Sequence, residues 1–188
     1  AEIDEITGLY NLTTTKLLIE NILNDRNQKI RESAFLLINI DNFRKVNQSG
    51  GFATGDELLR QIGNTIRDHV PSLSVAGRIN GDTFAVYFRS NQTKKMVRKD
   101  IQELLNALCG SYVCGNKCYD ITVSIGAICP NTRQVTYDFI YQSAYNALDV
   151  AKRSGGNNLI FHSEIAGNES NPEIFDRRIG EIFQKGFD

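Results

Sequence analysis

A tight hairpin is the feature of this sequence that most limits how the chain can fold. Asn80-Gly81 is typical of the two-residue type I′ turn, whose central residues both need a positive φ. The segments on either side, residues 73–79 and 83–88, are rich in β-branched and aromatic side chains, which favour strands. The pattern therefore predicts two antiparallel neighbours, with the carboxylate of Asp82 just past the tip of their turn. Support of the turn by a local hydrogen bond and a functional role are both open for that carboxylate.

Strand and helix patterns alternate along the rest of the chain. The continuous apolar run over residues 34–40 is typical of a central strand buried on both faces. A second strand is predicted over residues 121–128, where Gly126 marks a bulge or a close backbone approach. Apolar residues at helical spacing predict helices over residues 13–25, 93–108 and 137–154. This alternation, with a hairpin inserted, predicts an α/β domain with a central mixed sheet rather than a purely parallel one.

Two further helices are predicted on either side of a glycine-containing segment. A short helix begins near Phe43, residues 49–55 form a loop, and Asp56 can cap the next helix. The loop lacks the Gly-Lys-Ser/Thr ending of a phosphate-binding P-loop, so it is not interpreted as one. The threonines at positions 13–15 suit the N-cap of the first helix.

The charge balance argues against nucleic acid and membrane surfaces as partners. The chain has 188 residues, with 21 basic and 22 acidic side chains and a net charge of -1. Its sequence contains no apolar run long enough to span a bilayer and does not open on a signal peptide, which predicts a cytoplasmic location. The length is that of one domain, and a start at Ala1 rather than Met suggests a piece of a longer protein.

The four cysteines do not form a zinc motif, because none belongs to a C-x-x-C pair and both histidines are distant in sequence. Cys114 and Cys118 flank a short turn and could face each other across a hairpin, where a disulfide would be feasible. Without a secretion signal, we favour small, mostly buried thiols in a reducing cytosol.

Two places in the chain carry hard oxygen ligands. One is the end of the buried strand, Asn39-Ile40-Asp41, and the other is Asp82 at the hairpin. If the strand and the hairpin are neighbours, these oxygens converge at one edge of the sheet. Ligands of this kind suit Mg²⁺ together with a nucleotide phosphate. For Asp41 alone, capping of the following helix is the simpler interpretation.

Six motifs, taken together and in order, resemble the GGDEF domain, the catalytic domain of diguanylate cyclases. They are residues 4–11 (DEITGLYN), 39–47 (NIDNFRKVN), 55–59 (GDELL), 78–84 (RINGDTF), 123–126 (VSIG) and 147–157 (ALDVAKRSGGN). One such motif would be a weak signal, whereas the ordered set is specific. The resemblance predicts a GGDEF domain over residues 1–162, followed by a linker and connector helix over residues 163–188.

The resemblance also implies a fold and a reaction. The fold is a nucleotidyl-cyclase-like palm, an α/β domain whose central sheet is mixed, largely antiparallel and flanked by helices. The reaction joins two GTP molecules, one on each of two facing domains, into cyclic di-GMP. The 3′-hydroxyl of one GTP attacks the α-phosphate of the other, and Mg²⁺ offsets the developing charge.

Nucleotide-binding residues carry over from the family's motifs position by position. Asn47 and Asp56 would read the guanine base, and Arg44 and Lys152 would contact phosphate. Taken without the motifs, Arg44 and Lys152 are ordinary solvated charges on helices. Asn47 and Asp56 would then be a polar residue at a helix end and an N-cap.

Metal-binding residues carry over in the same way, but the set is incomplete. The metal site would include the backbone carbonyl of Ile40 and the carboxylates of Asp82 and Asp41. Asn39 and Thr83, however, stand where the family has a metal-binding Asp and the Glu of its signature. Neutral oxygens hold Mg²⁺ less well than carboxylates, so cyclase activity is expected to be very low or absent.

Three smaller departures from the family's motifs also indicate a degenerate domain. Asn80 replaces the first glycine of the signature, and Gly156 replaces a basic residue that approaches phosphate. Residues 71–74 (PSLS) stand where the family has the R-x-x-D motif of its product-inhibition site. The leading hypothesis is therefore a degenerate domain that binds GTP or regulates an adjacent signalling domain, such as an EAL domain, in a homodimeric full-length protein. An active cyclase and a ligand-free dimerisation scaffold are the alternatives.

Overall fold

The computed structural model describes residues 2–27, 29–130 and 134–165. The strands are β1 (Glu32–Ile40), β2 (Val75–Asn80), β3 (Thr83–Ser90), β4 (Gly110–Cys114), β5 (Lys117–Ile121), β6 (Val123–Ile128) and β7 (Leu159–Phe161). The helices are α1 (Leu12–Asn24), α2 (Phe43–Gly50), α3 (Phe52–His69), α4 (Lys94–Leu108), α5 (Tyr137–Arg153) and α6 (His162–Ile165).

A five-stranded sheet with the order β2-β3-β1-β6-β7 forms the middle of the domain. The apolar strand β1 lies at its centre and pairs antiparallel with both β3 and β6, while β7 adds to β6 in parallel. Strands β4 and β5 form a separate two-stranded hairpin. The predicted mixed, largely antiparallel sheet flanked by helices is therefore confirmed.

Helices cover both faces of the sheet because successive residues of β1 point to opposite sides. Leu36 and Ile38 belong to the larger core cluster, which includes buried residues of α3 and α4. Phe35 and Leu37 belong to the smaller cluster, which includes residues of α1 and α5. All four side chains are fully or almost fully buried, as the uninterrupted apolar run predicts.

Gly126 in β6 lies where α5 comes closest to the sheet. A Cβ atom at this position would overlap with the carbonyl oxygen of Ala144 and the amide nitrogen of Leu148. The prediction of a close backbone approach at Gly126 is confirmed, and its cause is the packing of α5 directly on β6.

The hairpin between β2 and β3 exists, but its turn differs from the prediction. Asn80 pairs with Thr83, so the two turn residues are Gly81 and Asp82, and neither Asn80 nor Gly81 has a positive φ. The type I′ prediction at Asn80-Gly81 was therefore wrong. A register shift between Arg78 and Asn80 moves the turn by one residue, which places Asp82 in the turn rather than past it.

The predicted loop over residues 49–55 was also wrong. α2 continues to Gly50 and α3 begins at Phe52, so only Gly51, with a φ of 83°, separates the two helices. Asp56 therefore lies inside α3 and does not cap it. At α1 the N-cap is Asn11, whose side chain accepts a hydrogen bond from the Thr14 amide, so the threonines do not cap this helix.

The strand register explains why Cys114 and Cys118 are not joined. Cys118 lies opposite Val113 and Cys114 lies opposite Lys117, so the two thiols point to opposite faces of the β4–β5 hairpin. Cys114 is buried and Cys118 is exposed, and all four cysteines are free. Within the described residues, no helix is both long enough and apolar enough to cross a membrane.

The predicted end of the domain falls at the edge of the described residues. β7 ends at Phe161, and residues 163–165 complete the short helix α6, which begins at His162. The connector helix predicted from Glu173 to Phe187 lies outside the described residues. The boundary between residues 162 and 163 thus stays a prediction.

Candidate functional site

The end of β1 and the β2–β3 turn meet at one edge of the sheet. Asn39 pairs with Thr83 across the β1–β3 ladder, and its side-chain Nδ2 donates to the Thr83 hydroxyl at 2.9 Å and to the Asp82 carbonyl at 3.3 Å. The Ile40 amide also donates to the Asp82 carbonyl, at 3.2 Å. The two neutral residues at the positions where the resemblance predicts carboxylates are therefore bonded to each other.

Asp41, the residue that follows β1, accepts four hydrogen bonds. Its Oδ1 accepts from the Lys152 ammonium and the Ser124 hydroxyl, both at 2.8 Å. Its Oδ2 accepts from the Thr122 hydroxyl at 2.7 Å and from the Asn157 amide at 2.9 Å. The side chain is only 8% exposed. Because both oxygens are fully engaged, this carboxylate holds the site together rather than facing solvent.

The pKa of Asp41 reflects this environment. Burial raises the pKa of the carboxyl, but the hydrogen bonds from Lys152, Thr122, Asn157 and Ser124 together outweigh burial and hold the pKa below its ordinary value of 3.8. Asp41 is therefore ionised at neutral pH, and it forms a charge-assisted pair with Lys152.

Lys152 comes from the last turn of α5 and reaches across to the end of β1. Besides its bond to Asp41, its Nζ lies 3.5 Å from the backbone carbonyl oxygen of Ile40. The side chain is 33% exposed. A fixed ammonium thus lies beside the carbonyl that the family resemblance assigns to metal.

A turn with unusual backbone geometry ends α5 and completes this cluster. Gly155, Gly156 and Asn157 have φ values of 106°, 74° and 51°. A Cβ atom on Gly156 would lie 2.9 Å from Asp41 Oδ2, so a side chain at this position would crowd the carboxylate. The absence of a side chain at Gly156 therefore lets the turn close on Asp41.

Asn47 packs against the backbone of α3 at Gly55, the residue before Asp56. A Cβ atom on Gly55, the neighbour of Asp56, would overlap with Oδ1 of Asn47, so the Asn47 side chain lies directly on the backbone of α3. Both Asn47 and Asp56 are partly exposed, and Arg44, one turn before Asn47 on α2, is exposed. The two residues predicted to read the base therefore lie at the same junction of α2 and α3, and Arg44 lies on the first of these helices.

The first turn of α2, which follows Asp41 in the sequence and precedes Asn47, provides backbone N–H donors. α2 begins directly after Asp41, and its N-cap Asn42 is left-handed, with a φ of 56°, and makes no side-chain capping bond. The N–H groups at the start of a helix carry partial positive charge and favour anions. The combination of this helix end with Arg44 and Lys152 suits a phosphate group.

The residues present do not fit a magnesium site of the kind the family implies. The side-chain Nδ2 of Asn39 donates to the Thr83 hydroxyl, and both oxygens of Asp41 are engaged by other donors. Across the described ranges there is no cluster of three or more His, Cys, Asp or Glu side chains that could hold a metal ion. Asp82 and the Ile40 carbonyl are the remaining predicted ligands, and together they supply one charged group.

A second charged network, called the brace below, connects the opening segment of the chain to the β2–β3 hairpin. Arg78 donates from Nη1 to Asp4 Oδ1 at 3.1 Å and from Nε to the Gly81 carbonyl at 2.7 Å. Asp4 Oδ2 accepts from the amide and the hydroxyl of Thr7, at 2.9 and 2.7 Å. Burial raises the pKa of Asp4, but the bonds from Thr7 and the charge of Arg78 outweigh burial and lower it below the ordinary value. The brace links the opening segment to the hairpin turn.

Replacing Asp4 by asparagine is expected to lower the free energy of unfolding by about 1.5 kcal/mol, the usual cost of losing a hydrogen bond to a charged group. The reason is that the partly buried Arg78 loses its counter-charge while its bond to Gly81 remains. Urea denaturation measures the effect. Glu5→Gln is the matched control, because this exposed neighbour carries the same charge, and an equal loss there would contradict the assignment.

Sequence reasoning did not find the donors that surround Asp41. Thr122, Ser124 and Asn157 are far from Asp41 along the chain and come together only through the register of β1 with β6 and the turn after α5. One signal was available, because Ser124 and Asn157 lie inside motifs that had been recognised only as family markers.

The chain matches a known family along most of its length. Residues 1–158 match the family model described as "Diguanylate cyclase, GGDEF domain". The chain therefore belongs to the GGDEF family, the family of diguanylate cyclase domains, and the resemblance carried by the six motifs is confirmed.

Curated relatives are longer than this chain. The uncharacterized protein YtrP of Bacillus subtilis is 32% identical over 165 residues, which cover 86% of this chain and 26% of YtrP. Diguanylate cyclase DgcS of Shewanella oneidensis is 28% identical over 158 residues, which cover 84% of this chain and 51% of DgcS. The chain thus spans a quarter to a half of the length of these two relatives.

Solved structures share the fold. The GGDEF domain of DgcB from Caulobacter crescentus, in complex with c-di-GMP, superposes with a TM-score of 0.76 at 22% identity, over 87% of this chain and 96% of that one. The FimX GGDEF domain from Pseudomonas aeruginosa also has a TM-score of 0.76, at 21% identity, over 86% and 99% of the two chains. At these identities the likeness establishes the cyclase-like fold alone.

Proposed function

We propose that this domain serves cyclic di-GMP signalling as a regulatory, GTP-binding module with little or no diguanylate cyclase activity. The hydrogen bond between Asn39 and Thr83 is the observation that carries the proposal. It joins the two positions at which the family resemblance predicts carboxylates, and the residues at both positions are neutral. The two predicted carboxylate ligands are Asp41 and Asp82. Asp41 is already engaged by four donors, so Asp82 is the one that remains for a metal ion.

The absence of carboxylates at positions 39 and 83 affects the chemical step of the cyclase reaction. Attack on an α-phosphate builds negative charge, which divalent ions and fixed cations must offset in the transition state. Losing one stabilising group of this kind costs about 10²–10³ in rate, and here two metal-binding carboxylates are absent. Turnover by this domain is therefore expected to be negligible.

Retention of GTP rests on a different set of residues. Asn47 packs against Gly55, the neighbour of Asp56, and both Asn47 and Asp56 are partly exposed, so both are accessible to a guanine base. Arg44, Lys152 and the uncapped start of α2 offer positive charge for the phosphates. The proposal places the domain in the cytoplasm, within a homodimeric protein in which it regulates an adjacent domain of the EAL phosphodiesterase kind.

Calorimetric titration with GTP, paired with an assay for cyclic di-GMP, tests this function. The 188-residue chain is expected to bind GTP without forming product. The double variant Asn39→Asp/Thr83→Glu restores both carboxylates, and we expect its affinity for Mg²⁺ to rise by about tenfold or more, because hard carboxylate ligands are what this ion requires. Measurable turnover is expected to accompany that gain.

Gln102→Glu/Asn106→Asp is the matched control for the double variant. It adds the same two negative charges on the exposed face of α4, where Gln102 and Asn106 also form a hydrogen-bonded pair of neutral side chains. This control should leave Mg²⁺ affinity unchanged. Turnover by the unmodified chain would instead identify an active cyclase, and absence of GTP binding would favour a dimerisation scaffold.

A further inference from the structure

The sheet edge carries less negative charge than a metal-dependent phosphate site requires. Carboxylates that face a triphosphate repel it unless a cation lies between them, which is why such sites bind nucleotide together with Mg²⁺. Here Asn39 and Thr83 are neutral and bonded to each other, and Asp41 is paired with Lys152. The reason for a bridging metal is thus largely absent at this edge.

The Lys152 ammonium lies where it would repel a divalent ion bound to the Ile40 carbonyl. Its ammonium lies 3.5 Å from the Ile40 carbonyl oxygen and 2.8 Å from Asp41 Oδ1. A divalent ion coordinated by the same carbonyl would lie within about 6 Å of this ammonium, given a metal–oxygen distance of about 2.1 Å. Asp41 has no free lone pair with which to coordinate such an ion, because both of its oxygens are engaged by four donors.

Lys152 has donor capacity beyond its two acceptors within the protein. An ammonium has three N–H donors, of which two are directed at Asp41 and Ile40. The side chain is one-third exposed, which leaves room for an acceptor from solvent or ligand. A phosphate oxygen is a suitable acceptor for the third donor, and the start of α2 follows Asp41 directly.

We propose that this domain binds the triphosphate of its guanine nucleotide without a divalent ion, with the Lys152 ammonium as the resident cation that faces phosphate. The inference rests on the proposed function, since it concerns the same site and the same ligand class. It adds that this domain responds to the nucleotide whether or not magnesium is bound to its phosphates. A domain of this kind reports nucleotide concentration at any magnesium level.

Titration of the 188-residue chain with GTP in excess EDTA and in excess Mg²⁺ tests the inference. The two dissociation constants are expected to agree within about threefold, because the metal adds no ligand bond that the protein completes. Lys152→Met should weaken GTP binding in EDTA by about tenfold, as expected for loss of a charge-assisted hydrogen bond, and Lys152→Arg should restore most of it.

Two controls separate phosphate contact from damage to the fold. Lys95→Met removes the same charge from an exposed position on α4 and should leave GTP affinity unchanged. Titration with guanosine, which has no phosphates, should give the same affinity for Lys152→Met as for the unmodified chain. Equal weakening of guanosine and GTP would show that the variant disturbs the whole site, and would overturn the role of Lys152.

The failures of this inference and of the proposed function are distinguishable. GTP binding that occurs only with Mg²⁺ would overturn the inference while the proposed GTP-binding function stands. Absence of GTP binding in both buffers would overturn both. Equal affinity in the two buffers, combined with unchanged affinity of Lys152→Met, would keep metal-free binding and remove Lys152 as the cation.

Discussion

Replacing Asp41 by alanine is expected to lower the free energy of unfolding by about 3 kcal/mol, at the lower end of the range for breaking a buried ion pair. The carboxylate is 8% exposed and satisfies donors from three separate parts of the chain, so its loss leaves Thr122, Ser124 and the Asn157 amide without their acceptor. Lys152 is partly exposed, so water will recover some of the loss on its side. Urea denaturation followed by circular dichroism measures the change.

Asp149→Ala is the control for this prediction. Asp149 also pairs with a basic residue of α5, Arg153, at 2.9 Å, but their side chains are 36% and 38% exposed. Exposed ion pairs contribute about 0–1 kcal/mol, so this variant should cost little. Comparable losses for Asp41→Ala and Asp149→Ala would contradict the role of Asp41 as a buried centre of the site.

The same carboxylate should make stability depend on pH. Folding holds the pKa of Asp41 below 3.8, so the unfolded chain binds a proton more readily than the folded one. The contribution of Asp41 is therefore complete above a pH of about 5 and is lost as the pH falls through the lowered pKa. Asp41→Asn cannot titrate, so its stability should fall less steeply in acid than that of the unmodified chain. Equal slopes in urea titrations across this range would count against the network.

Replacing Gly126 by valine is expected to cost about 4 kcal/mol or more, which places it among the most damaging single substitutions. The added side chain would overlap with backbone atoms of Ala144 and Leu148, which cannot rotate away as a side chain would. α5 would have to leave β6, and with it would move Lys152 and the turn that binds Asp41. Thermal unfolding and GTP titration should both report the damage.

Gly81→Ala is the companion substitution. Gly81 lies in the hairpin turn, has no positive φ, and a Cβ atom there would meet no atom within 4 Å. Its replacement should change the free energy of unfolding by less than about 0.5 kcal/mol. A large loss at Gly81, or a well-folded Gly126→Val variant, would contradict the packing described for these two glycines.

The parts of the fold that follow from local pattern were predictable from the sequence. The apolar run of β1 indicated a central buried strand, and Gly126 indicated a close approach, because each depends on few neighbours. The turn at Asn80-Gly81 was misplaced because pairing across the β2–β3 ladder overrides local turn preference. The loop before Asp56 was wrong because one glycine with a positive φ was enough to join two helices.

The candidate site was predictable only in part. The motifs named the residues at the sheet edge, and the neutral pair of Asn39 and Thr83 could be expected from their identities. Their mutual hydrogen bond could not, because it depends on the register between β1 and β3. The engagement of Asp41 by donors 81 to 116 residues away likewise requires the folded chain.

The Asp4–Arg78–Gly81 brace has a mechanical consequence. The Arg78 guanidinium donates both to Asp4 in the opening segment and to the Gly81 carbonyl, which precedes Asp82. These two parts of the molecule are therefore connected through a single side chain. A small displacement of Asp4 that keeps this bond would therefore act on the turn that carries Asp82. A force applied at the start of the domain would therefore be transmitted to the sheet edge that carries Asp82.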